Sequence, residues 1–112
     1  GLQLVDGQSV SDSDNPNSIP NSEISVQQNG TVHLDIRVKI VTAAEQNERQ
    51  RRLTRGKDWA TIAIILNGRP TRGFAGLTSQ LSVESQYKLS KNAIGFSTSG
   101  KAVYSNIRLM RL

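Results

Sequence analysis

Apolar and polar residues alternate most cleanly between Thr31 and Val41. Val32, Leu34, Ile36, Val38 and Ile40 fall on one side, and Thr31, His33, Asp35, Arg37 and Lys39 on the other. A period of two predicts a strand with one buried and one wet face, the usual pattern of an antiparallel sheet. Trp59–Leu66 is a run rich in branched residues, closed by Asn67-Gly68, and predicts a second strand. Shorter alternations occur at Ile24 and Val26, followed by the hairpin signal Asn29-Gly30, and from Leu81 through Val83, Ser85, Tyr87 and Leu89. Leu2–Val5 predicts a short edge strand. Arg69-Pro70-Thr71-Arg72-Gly73 reads as a turn or an edge, because Pro70 has no amide to donate. Ala93–Ser97 and Ala102–Leu112, flanking the turn Thr98-Ser99-Gly100-Lys101, predict the closing strands.

Two stretches break the pattern. Asp6 to Asn21 crowds Asp, Ser, Asn and Pro together and predicts a loop. Thr42–Lys57 is rich in helix formers, and Thr42 with Glu45 has capping-box spacing. Only Leu53 and two alanines there could face a core, however, so the expectation is a long polar loop, partly mobile, rather than a surface helix. The fold class expected is all-β: an antiparallel β-sandwich, jelly-roll-like, with six to seven strands and at most one short helix. An acidic polar leader over residues 1–22 precedes a sandwich domain over residues 23–112.

Composition narrows the field. A chain of 112 residues has room for one core, and its 4% aromatic content makes that core aliphatic. Cysteine is absent, which removes disulfides, thiolate metal sites and cysteine nucleophiles. The longest apolar run, Ala60–Leu66, is of strand length, so no membrane insertion is expected. The chain opens on Gly with no signal-peptide core, which suggests a processed form or a piece of a longer protein.

Charge is divided unevenly. Residues 1–30 hold Asp6, Asp12, Asp14 and Glu23 and no base, while the remainder carries all 14 Lys and Arg against five acids. A basic body attracts polyanions or acidic surfaces. Its densest part is Arg49, Arg51, Arg52, Arg55 and Lys57, with Arg69 and Arg72 beyond the next strand. These, with Trp59 as an aromatic contact, are the candidate binding residues. Glu45, Glu48 and Asp58 dilute the cluster, no stacking aromatics interleave with it, and a solvated basic loop is the plainer reading.

No catalytic or metal site is expected. His33 shares a strand face with Asp35, but no nucleophile points to the pair, and a surface cross-strand pair is commoner. Asp35, Asp58 and Glu84 lie on separate segments, so no paired carboxylates for sugar cleavage are visible. Asp12-Ser13-Asp14-Asn15 begins like a calcium loop but lacks its turn glycine and closing glutamate. No cofactor is implied.

The tail Ala93-Ile94-Gly95-Phe96-Ser97, followed by Tyr104-Ser105-Asn106-Ile107-Arg108-Leu109, resembles the closing strands of concanavalin A-like lectin/glucanase sandwiches. Asp58-Trp59, a strand and Asn67-Gly68 are similar to a Trp-strand-Asn-Gly step upstream in that group. The resemblance implies a sandwich fold and no transferable sugar-binding or catalytic residue. The function expected is a non-catalytic binding or interaction module for carbohydrate or protein. A polyanion or nucleic-acid binder through the basic loop, and a structural subunit that forms oligomers, are the alternatives.

Overall fold

In the computed structural model the described residues are 4–9, 15, 30–82 and 101–110. Their centre is three antiparallel strands: β3 (Leu34–Val41), β4 (Trp59–Leu66) and β5 (Arg69–Leu77), in the order β3-β4-β5. Two two-residue strands precede them, β1 (Leu4–Val5) and β2 (Gln8–Ser9), and β6 (Leu81–Ser82) follows. These three form a small antiparallel sheet in the order β2-β1-β6. One helix, α1 (Glu48–Thr54), lies between β3 and β4. The described chain is therefore mostly strand, with one short helix and a three-stranded antiparallel sheet.

Local chemistry accounts for the turns. Asn67 (φ 48°) and Gly68 (φ 77°) both take the left-handed conformation that a two-residue hairpin needs, and they join β4 to β5. Asp6 (φ 51°) and Gly7 (φ 77°) do the same between β1 and β2. The loop expected from Asp6 onward thus begins as a tight hairpin. Arg69–Gly73, expected as a turn or edge, is the first half of β5, an edge strand. Its pairing slips between Ile64/Arg72 and Ile65/Pro70, leaving Thr71 as the extra residue. An edge tolerates this irregularity because the missing Pro70 amide disturbs few ladder bonds. Residues 102–110, expected within the closing strand, contain no strand and are exposed, as is Lys101 of the expected turn. The alternations expected over residues 23–28, 83–89 and 93–97 lie outside the described residues.

Among the described residues the core is small and lies to one side. Val5 from β1 packs with Ala60 and Ile62 of β4 and Phe74 of β5, and the half-buried Leu81 of β6 closes the cluster. Gln80 ties this small sheet to the large one. Gln80 accepts from the Leu77 amide (2.7 Å), donates to Asp6 Oδ2 (3.0 Å), and accepts the Asp6 amide on its own carbonyl (2.8 Å). Among the described residues this cover lies over the β4–β5 half of the sheet, and the β3 half has none.

That asymmetry overturns one expectation. Leu34, Ile36, Val38 and Ile40 share a face with Leu66, Ile64, Ile62 and Ala60, their partners across β3 and β4. On β4, Ala60, Ile62 and Ile64 are buried, as expected for a core face. On β3 the same face is 44%, 47%, 52% and 54% exposed from Leu34 to Ile40, and Val32 before it is exposed too. The alternation predicted the strand correctly, but among the described residues the covering layer stops short of it.

Candidate functional site

Beside the exposed β3 face lies a strand edge that no described residue pairs. His33 donates its amide to Asn67 Oδ1 (2.9 Å) and its carbonyl accepts the Asn67 amide (2.8 Å). His33 therefore turns its backbone groups toward β4. Backbone direction alternates along an antiparallel strand, so Asp35, Arg37 and Lys39 also bond toward β4. Leu34, Ile36, Val38 and Ile40 then aim their N–H and C=O groups away from it. Among the described residues β3 pairs with β4 alone, so that row of donors and acceptors is open. The same four residues supply an exposed apolar face and an unpaired edge. On the opposite face Asp35 Oδ2 accepts from Arg37 Nε (3.2 Å) and Nη2 (3.0 Å), so Asp35 is engaged by arginine.

The connection from β3 to β4 is an ordered segment containing α1, against the expectation of a long polar loop, partly mobile. Gln46, 5% exposed, is its anchor: it donates to the Lys57 carbonyl (2.8 Å) and the Val41 carbonyl (3.3 Å) and accepts the Thr54 hydroxyl (2.6 Å). The Thr42–Glu45 spacing does produce a reach-back bond, Glu45 Oε2 accepting the Thr42 amide and hydroxyl. It closes a turn, however, and these bonds hold the Glu45 carboxyl below its ordinary value. The helix starts later, capped by Asn47, whose side chain accepts the Gln50 amide while Gln50 Oε1 accepts the Asn47 amide. Arg55 ends it in the left-handed conformation (φ 54°), and the Gly56 amide bonds back to the Arg51 carbonyl. Asp58 then fastens the loop to the sheet. Its Oδ1 accepts the Ala43 amide (2.8 Å) and its carbonyl accepts the Thr78 amide (3.1 Å).

This framework sorts the candidate residues. Arg49, Arg52 and Arg55 follow one another at steps of three, along a ridge opposite buried Thr54, with exposed Leu53 beside them. Arg52 pairs with Glu48, one turn back. Arg49, Arg55 and Lys57 have no side-chain bond among the described residues. Arg51 is structural, its guanidinium donating to the Ala43 and Ala44 carbonyls. Trp59 is half-buried between Val41 and Leu77, its partners in the flanking strands, on the face opposite the apolar stripe. Arg69 and Arg72 do not join the ridge. They lie opposite Leu66 and Ile64, toward the far end of β4, at least ~15 Å along the strand from Trp59. Arg69 is exposed, and Arg72 is half-buried with Nη1 donating to the Thr71 carbonyl.

The exposed β3 surface was missed in the sequence, where its alternation pointed to a core. Gln46 carried no signal either, since a buried glutamine in a polar loop looks like its neighbours. Among the described residues no group of His, Asp or Glu stands close enough to hold a metal ion, and no helix is long and apolar enough to cross a membrane. No family model matches this chain, and no curated protein or solved structure matches it.

Proposed function

We propose that this chain is a non-catalytic interaction module that engages another polypeptide through β3. One observation carries this reading: Leu34, Ile36, Val38 and Ile40 combine an exposed apolar face with a strand edge that is unpaired among the described residues. A long apolar edge strand left uncovered is a template for pairing with another chain, and strand addition is a recurring mode of peptide recognition at such an edge. The half-buried setting of Trp59 favours a protein partner over a sugar, which needs a free aromatic platform. The small β2-β1-β6 sheet lying across β4 and β5 is consistent with a jelly-roll-like sandwich whose second layer is narrow on the β3 side.

The test is Val38→Lys with Ile40→Lys in dilute protein, read by bis-ANS fluorescence and by urea denaturation. An open face binds the dye in the parent and loses it in the variant, with stability changed by less than about 0.5 kcal/mol. A parent that binds no dye, with a variant destabilised by about 2 kcal/mol or more, means that the face is core and refutes the proposal.

The Arg49–Arg52–Arg55 ridge favours a second reading, binding of an anionic polymer. Heparin retention should then fall steeply with salt and drop in Arg49→Gln/Arg55→Gln. Retention that is indifferent to salt or to these substitutions removes it.

A further inference from the structure

Resting on the interaction reading of β3, we infer that the chain which pairs with β3 is a second copy of itself, joined edge to edge about a twofold axis at Ile36. The strand's own chemistry selects this partner and this register. Leu34, Ile36, Val38 and Ile40 aim their backbone groups outward, so an added antiparallel strand bonds through these positions. Two copies of β3 meet that requirement when Ile36 faces the partner's Ile36. Leu34 then lies opposite the partner's Val38, and Val32 opposite the partner's Ile40. Apolar side chains that are exposed in one chain gain apolar cross-strand neighbours in the pair.

The polar face decides between registers. With Ile36 on the axis, Asp35 stands opposite the partner's Arg37, and by symmetry Arg37 opposite the partner's Asp35. Both are non-hydrogen-bonded positions, where side chains approach most closely. His33 lies opposite the partner's Lys39. Centring on Arg37 also satisfies the backbone but sets two Arg37 side chains against each other. Centring on Val38 opposes Arg37 to the partner's Lys39. Only the Ile36 register places every acid of β3 against an arginine with no pair of Arg or Lys in opposition. The contact is isologous and closes at two copies, and it removes both open edges together.

The intrachain Asp35–Arg37 bridge is partly solvent-exposed, so breaking it alone should cost little stability. This makes charge reversal a clean probe. Asp35→Arg and Arg37→Asp are each made in the full chain, checked for folding by circular dichroism, and followed by sedimentation across concentration. The parent should dimerise, and each single variant should dimerise roughly tenfold or more weakly, because both cross-strand pairs become like-charged. An equimolar mixture of the two variants should recover the parent affinity as a heterodimer, although neither chain can form the intrachain bridge. That recovery separates pairing between copies from any effect within one chain.

A dimer whose affinity ignores both reversals, or one weakened by them without recovery on mixing, overturns the inference. A parent that stays monomeric at every concentration also overturns it. If that monomer binds bis-ANS through Val38 and Ile40, β3 takes a different partner and the interaction reading stands. A monomer that binds no dye refutes both.

Discussion

Gln46 is where the ordered connection is most vulnerable, and its replacement by alanine tests how that connection is held. The side chain has two short hydrogen bonds, to the Lys57 carbonyl and from the Thr54 hydroxyl, and a longer one to the Val41 carbonyl at 3.3 Å. A hydrogen bond contributes about 0.5–1.5 kcal/mol net, and an orphaned buried acceptor costs about 1–3 kcal/mol. The loss is cushioned on one side, because the Thr54 hydroxyl already has the Gln50 carbonyl within 3.0 Å. Lys57 is exposed, so its carbonyl regains water in part. We therefore expect Gln46→Ala to cost about 2 kcal/mol. In urea this appears as a lower midpoint at unchanged slope. Amide exchange should speed up most at Arg51, Gly56 and Lys57, whose amides bond within this loop. Gln46→Glu should be no better at neutral pH, since it sets a carboxylate against two carbonyls in place of a donor. A loss below about 0.5 kcal/mol, or exchange unchanged at those amides, would show that Gln46 does not anchor the loop.

Other positions give independent checks. Arg55→Gly relieves a left-handed non-glycine residue at the end of α1 and should raise stability by about 0.5–1 kcal/mol, measured by denaturation. The same substitution removes one ridge charge and so should weaken heparin retention. Gly76→Ala should destabilise, because a Cβ there meets the Gln80 side chain and comes within 2.7 Å of the Phe74 ring; a cost of about 1–3 kcal/mol is expected on thermal melting. Glu45 is depressed by its bonds from Thr42, so its contribution is present above the ordinary carboxylate range and lost as pH falls through the lowered value. The Thr42 amide resonance should follow that acid titration, and Glu45→Gln should flatten it.

Much of the architecture follows from short-range pattern. Trp59–Leu66 is a strand over its expected span, because branched residues and a following Asn-Gly turn agree on where it ends. The strand over Leu34–Val41 was equally legible. The Asn47–Gln50 cap was not, because Thr42 with Glu45 offered the same spacing a few residues earlier. Both pairs form their bonds, and only the packing of Thr54 and Gln46 decides which one begins a helix. The sequence shows the basic cluster over Arg49–Lys57 and sets Arg69 and Arg72 beyond the next strand, but not how the fold divides these residues. The length of β4 separates Arg69 from the Arg49–Arg55 ridge, and Arg51 is taken up by loop carbonyls.

By itself the sequence determined the period of β3, the aliphatic character of the core, the Asn67-Gly68 turn and the uneven distribution of charge, because each depends on neighbours within a few positions. Tertiary structure alone decided which apolar face is buried. Val32, Leu34, Ile36, Val38 and Ile40 have the pattern of a core strand, and alternation reports which side of a strand is apolar. Burial depends on what lies over that side. Among the described residues Val5 and Leu81 pack with Ala60, Ile62 and Phe74 and not with β3, so the same pattern is core on β4 and an exposed surface on β3.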